Sequence, residues 1–429
     1  DSQLVGLEAG ADDYISKPFN MEMLLLKVRH LIEMKKKMQK AFMQSSTMGI
    51  ALTEVQASSM DEELMRKAIG YITANYTCRE QSVLLEDRPF ASLPFIGRYR
   101  LIDFPLSNMM NAGIKTVGVV MPGNYRSLID HIGSGKDWML DRKKGGLFLV
   151  PGNPYGTSRR GMRFLLRDII SNKVLFQCSD KPYVVMCGSN VVFNIDLNQI
   201  IDAHASSGAG ITMVYCKAER AHEDVTSLVI GEAGRVQSVK SGCQFGDNKF
   251  LDCFIIDRQL LLEIIDQYAS ADYMDFFEAI AGDFARVDVC SYEFKGMAVG
   301  IFDETSFYKR SMELLNPDVA DKLFMPDRPI MTKAHDVPPA KYAATCHACN
   351  SLISSGCNIN GTVRNSILSR GVIVENGASV TNSIIMQDCV IKSGARVENA
   401  IVDKNNVVPA NTELRGTPEA ILVLPKAPL

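Results

Sequence analysis

The chain has 429 residues, of which 46% are hydrophobic and 22% charged, with a formal net charge of -3 at pH 7. These are ordinary globular values, enough chain for two or three domains and too evenly charged for a dedicated polyanion binder. No apolar run reaches the roughly 18 residues that cross a bilayer, no signal peptide opens the chain, and Cys187, Cys216, Cys253 and Cys290 sit inside apolar runs as packed thiols do; a cytoplasmic protein with reduced cysteines, no membrane contact and no nucleic-acid partner is expected.

The first stretch, GLEAGADDYISKPFNMEMLLLKVRHLIE at 6–33, resembles the carboxyl end of a response-regulator receiver domain through GADDY and Lys17-Pro18-Phe19. In that family the lysine reaches a phosphorylated aspartate on an earlier strand. Sixteen residues precede Lys17, so residues 1–33 are expected to be a fragment rather than a working receiver. Residues 34–82 are expected to form a helical linker. Lys35, Lys36 and Lys37 read as a solvated face, and Ser59 with Glu62 has the spacing of a capping box ahead of Leu64, Ala68, Ile69 and Ile72 at helical period. MDEELMRKAIGYITANY resembles the first helix of a regulatory helix-turn-helix domain, but no recognition helix follows it.

From 83 to 330 the pattern becomes apolar strand, polar turn, amphipathic helix. KTVGVVM leads to YRSLIDHI, PYVVMCG leads to DLNQIIDAHASSG, and GITMVYC follows. Strands separated by helices imply a Rossmann-like, mostly parallel α/β sheet with its ligand site at the carboxyl ends of the strands. From 331 to 429 the texture changes again. Ile367, Ile373, Ile385, Ile391 and Val397 fall on a six-residue lattice interrupted at Ser379, with glycines at turns; this predicts a left-handed parallel β-helix whose coils bury their apolar residues by stacking.

In PYVVMCGSNVVFNID an apolar run climbs to Gly188 and breaks at Ser189 and Asn190, where a metal-binding carboxylate would be sought. Around it, LPFIGRYRLIDFPLSNMMNAGIKTVGVV, RPIMTKAHDVPPAKY and NSLISSGCNINGTVRNSILSRGVIVENG resemble the glucose-1-phosphate adenylyltransferase (ADP-glucose pyrophosphorylase) family over about residues 84–425. The likeness is to the regulatory subunits that some bacteria pair with a catalytic one. That family joins ATP and glucose 1-phosphate into ADP-glucose and pyrophosphate with Mg²⁺ held by paired aspartates. The resemblance implies that one aspartate position is Ser189, in the family's G-D-H turn, and the other Ala298, in its D-V-G motif. It places Pro122 where a glutamine reads adenine, and leaves Gly156, Thr157, Gly188 and Gly300 as a vestigial substrate pocket. It further implies that the family's first strand and Gly-rich phosphate loop are missing, with reduced stability, and that Arg88, Arg98 and Arg100 bind a phosphorylated sugar effector. For Arg88 and Arg100 the alternatives are a surface charge and a pair with Asp103. No catalysis by the chain alone and no metal bound by it are expected, and the implied partner is the catalytic subunit in a heterotetramer in glycogen biosynthesis. An active sugar-phosphate nucleotidyltransferase and a fragment of a two-component transcriptional regulator are the competing readings. Cys346, His347, Cys349 and Cys357 read as thiols packed at the entrance of the β-helix rather than a zinc site, and Asp272, Asp275 and Glu278 as part of a packing helix.

Overall fold

The computed structural model describes residues 67–76, 82–153, 164–270 and 274–427. The receiver-like segment and the basic stretch at Lys35, Lys36 and Lys37 lie outside these residues. From Met65 onward the chain forms one compact unit.

Its first element overturns the expected helix. Ala68–Thr73 is a strand (β1) with every residue buried, and it lies inside the sheet, parallel to Thr116–Met121 (β2) on one side and to Tyr183–Cys187 (β4) on the other. The α/β unit therefore begins ahead of residue 83, and the first strand that was expected to be missing is present, which removes the reason to expect reduced stability. Alternate side chains explain the placement: Ala68 and Ile72 enter one apolar layer, Ile69 and Tyr71 the other. Gly70 lets a helix pack close, since a Cβ there would lie 2.1 Å from Met109 Sδ.

Gly146–Pro151 (β3) extends the parallel set beyond β2. On the other side, the long strand Asn248–Asp257 runs antiparallel to β4 and to Ile211–Lys217, and Val289–Glu293 pairs parallel with the latter. The sheet is thus mixed but parallel at its centre. Helices cover both faces. The first core layer holds Phe95, Phe104 and Trp138, the second Phe164, Phe176, Phe254 and Phe276. The helix at Phe276–Ala279 is a packing element: both phenylalanines are buried and Asp275 with Glu278 closes a capping box.

The carboxyl-terminal region is a parallel β-helix with three ladders of five short strands. Its inward row steps through Leu368, Val374, Val380, Ile385, Ile391, Val397, Val402 and Val408, by six, six, five, six, six, five and six residues. One leg of each coil is therefore a residue short, and equivalent positions such as Ser366 and Ser383 recur at 17 residues. That corrects the strict six-residue lattice: Ile373 and Ser379 are half-buried on the outside, while Val374 and Val380 point in. Corners are turned in the left-handed region by Asn350, Asn365, Asn382 and Asn399. Asparagine tolerates that conformation, and its amides also link the coils, Asn350 donating to Asn365 at 2.8 Å and Asn365 to Asn382 at 2.7 Å. On one ladder the outward residues Leu352, Ile367, Ile384 and Ile401 join the core of the α/β domain. The sequence Cys346-His347-Ala348-Cys349 lies on the first coil, with His347 and Cys349 exposed and Cys357 buried.

Candidate functional site

The carboxyl ends of β1, β2 and β4 converge as the fold class requires. After β1, Asn75 donates to Asp168 at 2.9 Å, and Asp168 accepts the backbone N–H of Asn153 at 2.7 Å. Burial raises the Asp168 carboxyl above its usual range, opposed by these hydrogen bonds. Pro122, directly after β2, is buried. Gly156 and Thr157 lie outside the described residues.

The turn after β4 is tightly held. Gly188 N–H donates to the Asp252 carbonyl at 2.7 Å, and a Cβ at Gly188 would crowd Asn190 Oδ1 and Asp252 Cβ, both at 3.0 Å. Ser189 is fully buried and its hydroxyl has no hydrogen-bond partner, nor does either end of the buried Asn190 amide. The chain then forms Val191–Phe193 (β5), which pairs antiparallel with Ala298–Gly300, and the Asn190 carbonyl accepts from Ile301 at 2.9 Å. The two positions singled out from sequence, Ser189 and Ala298, fall toward opposite ends of this strand pair: Gly300 faces Val191 beside the turn, whereas Ala298 faces Phe193. Their donor set is a hydroxyl, a neutral amide and a methyl group, which does not fit a hard divalent cation that prefers carboxylates. Among the described residues no group of three or more His, Cys, Asp or Glu side chains is placed to hold a metal ion.

Ala298 and Gly300 also line a cavity of about 190 Å³ with Arg220, His222, Lys249 and Lys309. Arg220 and Arg310 are tied to Glu313 at 3.3 and 2.7 Å. Glu219 and Asp303 also line it, so the wall carries both signs of charge with the cationic side chains in excess.

The three arginines separate. Arg88 is not a surface charge: it is 4% exposed and its guanidinium is clasped by the carboxylate of Asp403, itself fully buried in the β-helix. Arg98 is exposed, with its guanidinium 5.1 Å from the centre of the Tyr99 ring. Arg100 donates to the Ser127 carbonyl at 2.5 Å, while its backbone N–H, not its guanidinium, meets Asp103 at 2.9 Å. Asp103 also faces His131, 2.6 Å away. Burial dominates at this seam between the α/β domain and the β-helix. It lowers Arg100 to about 10 against the pull of Asp103, and it lowers Arg370 with help from Arg98. It also pushes the Lys404 amine down to about 7, reinforced by Arg100 and Arg88. Sequence reading missed Arg370 and Lys404, which come from the far end of the chain; their place beside the left-handed corners at Gly371 and Asn405, two coils apart, was the available signal.

No helix among the described residues is long and apolar enough to cross a membrane. Residues 86–239 match the model of the nucleotidyl transferase family, and residues 338–419 that of the GlmU-like C-terminal hexapeptide family. The chain is 36% identical over 343 residues to the glycogen biosynthesis protein GlgD of Bacillus subtilis strain 168, covering 80% of this chain and 91% of that protein. It is 34% identical over 317 residues to GlgD of Geobacillus stearothermophilus, covering 73% and 83%. It is also 31% identical over 329 residues to a glucose-1-phosphate adenylyltransferase of Thermosipho africanus, covering 74% and 78%. With a nucleotidyltransferase sheet, a hexapeptide β-helix and these relatives along most of its length, the chain belongs to the GlgD branch of the glucose-1-phosphate adenylyltransferase family.

Proposed function

We propose that this protein is a regulatory, non-catalytic subunit of a glucose-1-phosphate adenylyltransferase in cytoplasmic glycogen synthesis, assembled with a catalytic relative as a heterotetramer. The observation that carries the reading is the pair Ser189 and Ala298. Each stands where the family resemblance puts a metal-binding aspartate, yet neither supplies an anion. Joining ATP to a sugar phosphate requires neutralising several phosphate charges, and Mg²⁺ held by carboxylates is the usual means. Without those ligands the cavity beside Ala298 retains an excess of cationic side chains over Glu219 and Asp303, which favours a sugar phosphate while lacking the means to activate it.

A phosphorylated sugar effector is assigned to the seam. Arg98, Arg100 and Arg370 gather there with Lys404 in a chain whose net charge is -3; guanidinium groups suit phosphate oxygens. Arg88 plays a different part, tying the seam together through Asp403. Binding an anion between the two domains would alter how they press on a neighbouring subunit.

The test is pyrophosphate release from ATP, glucose 1-phosphate and Mg²⁺. The purified chain alone is expected to be silent, and adding it to a catalytic subunit is expected to change the rate or its response to a phosphorylated sugar. Turnover by the isolated chain would refute the non-catalytic reading, and an unaltered catalytic subunit would refute the regulatory one.

A further inference from the structure

We propose that His131 is a positioning residue for the seam: by holding the Asp103 carboxylate it keeps that carboxylate away from the Arg100 guanidinium and leaves the guanidinium open to a phosphate or sulfate group. This rests on reading the seam as an anion site. Arg100 stands three residues before Asp103, and a pair between guanidinium and carboxylate is the arrangement that charge alone would favour. The structure shows a different one. Asp103 is fully buried and both of its oxygens are engaged: Oδ2 accepts the backbone N–H of Arg100 at 2.9 Å, and Oδ1 faces His131 Nε2 at 2.6 Å. A carboxylate only accepts, so Nε2 carries the proton and donates it. Burial holds the imidazole below its usual range despite Asp103. Above neutral pH it is therefore a neutral donor, and replacing it removes a hydrogen bond rather than a charge.

The ring is firmly placed. His131 is 2% exposed and lies edge-on to Trp138, with 5.9 Å between ring centroids. The helix that carries it, Arg126–Ile132, also carries Ser127, whose carbonyl accepts from Arg100 Nη1 at 2.5 Å and whose hydroxyl meets Ser92 Oγ at 2.7 Å. One helix thus anchors Arg100 by a terminal nitrogen and occupies the carboxylate that would otherwise neutralise it. Arg100 Nε is left buried without a partner. Of the two carboxylates that act on Arg100, Asp103 is the stronger and exposed Asp130 the weaker, so control of Asp103 decides whether the guanidinium is free.

The experiment titrates the full chain calorimetrically with sodium sulfate, whose charge is constant around neutral pH. At about pH 7.5, His131→Phe frees Asp103 Oδ1 to turn onto Arg100 and is expected to weaken sulfate binding at least about tenfold, the worth of one charge-assisted hydrogen bond. His131→Gln, which can still donate to Asp103, should recover most of the affinity. The sharpest variant joins His131→Phe to Asp103→Asn: with the competing charge removed, affinity should return toward that of the parent even though the fold has lost a second native group. Melting curves verify that each variant is folded and report stability separately; His131→Leu repeats the test should the Phe variant not fold. A merely structural role for His131 predicts still weaker binding in the double variant, and that result would overturn the proposal. Parent binding that His131→Phe leaves untouched sinks this inference alone, whereas no sulfate binding by the parent chain sinks the anion-site reading and this inference with it.

Discussion

The turn of Gly188, Ser189 and Asn190 is buried and neutral, whereas the seam of Arg100, Arg370 and Lys404 is largely buried and cationic. The turn offers a hydroxyl and a neutral amide, neither with a hydrogen-bond partner. The seam offers guanidinium groups and an amine, with Asp403 committed to Arg88. Phosphoryl chemistry needs anions that hold a metal, whereas recognition of a phosphate needs cations. Under the proposed function the same fold keeps the second requirement and abandons the first, which would make catalysis and sensing separable properties of this architecture.

The seam is broken most severely by Arg88→Ala. It would leave the Asp403 carboxylate buried and uncompensated, with an expected loss of about 3–5 kcal/mol measured by urea unfolding; an unchanged midpoint would mean that the clasp contributes little. The turn is probed by Ser189→Asp, which places a charge in a fully buried position and should cost about 2–4 kcal/mol. Melting with and without Mg²⁺ sharpens the contrast, because recovery by Mg²⁺ would reveal a metal site that the present donor set does not provide.

Lys404→Met should act in the opposite direction. The folded state holds this amine below its unfolded value, so its destabilising contribution is full below about pH 7 and fades as pH rises toward the ordinary lysine range. The variant is expected to be more stable than the parent at pH 6.5, by on the order of 1 kcal/mol after solvent screening, with the difference closing near pH 10. A difference that is constant with pH would place the effect in packing rather than charge. Asn365→Ala, which removes two amide contacts between coils and leaves a left-handed corner to a residue that resists it, should cost about 1–2 kcal/mol. Its effect on phosphate affinity should be small unless the coil stacking itself sets the seam.

The sequence made the run from Val184 to Cys187 legible because an apolar stretch ending at Gly188 has few interpretations. It made β1 illegible for a related reason. A parallel strand buried on both faces has no polar alternation, and Ala68, Ile69 and Ile72 satisfy helical spacing as well as strand geometry until the flanking strands choose between them. The capping-box spacing at Ser59 and Glu62 reinforced the wrong period. Ser189 and Ala298 could be read as carboxylate positions through resemblance, but the register of β5 with Ala298–Gly300, which sets Ala298 opposite Phe193, depends on long-range pairing. The seam was harder still. Arg88 and Asp403 are 315 residues apart, and a lone arginine beside a proline carries no mark of a buried partner on the opposite domain.

The short leg of each β-helix coil has a consequence for how this protein can change in length. Equivalent positions recur at 17 residues, and Ile367, Ile384 and Ile401 follow that interval along the surface that joins the α/β domain. Gain or loss of a whole coil leaves this apolar stripe in line, whereas an insertion of one hexapeptide would turn every later stripe onto another side of the prism. The C-terminal region is thus free to grow or shrink in units of a full turn while its hold on the α/β domain stays in phase.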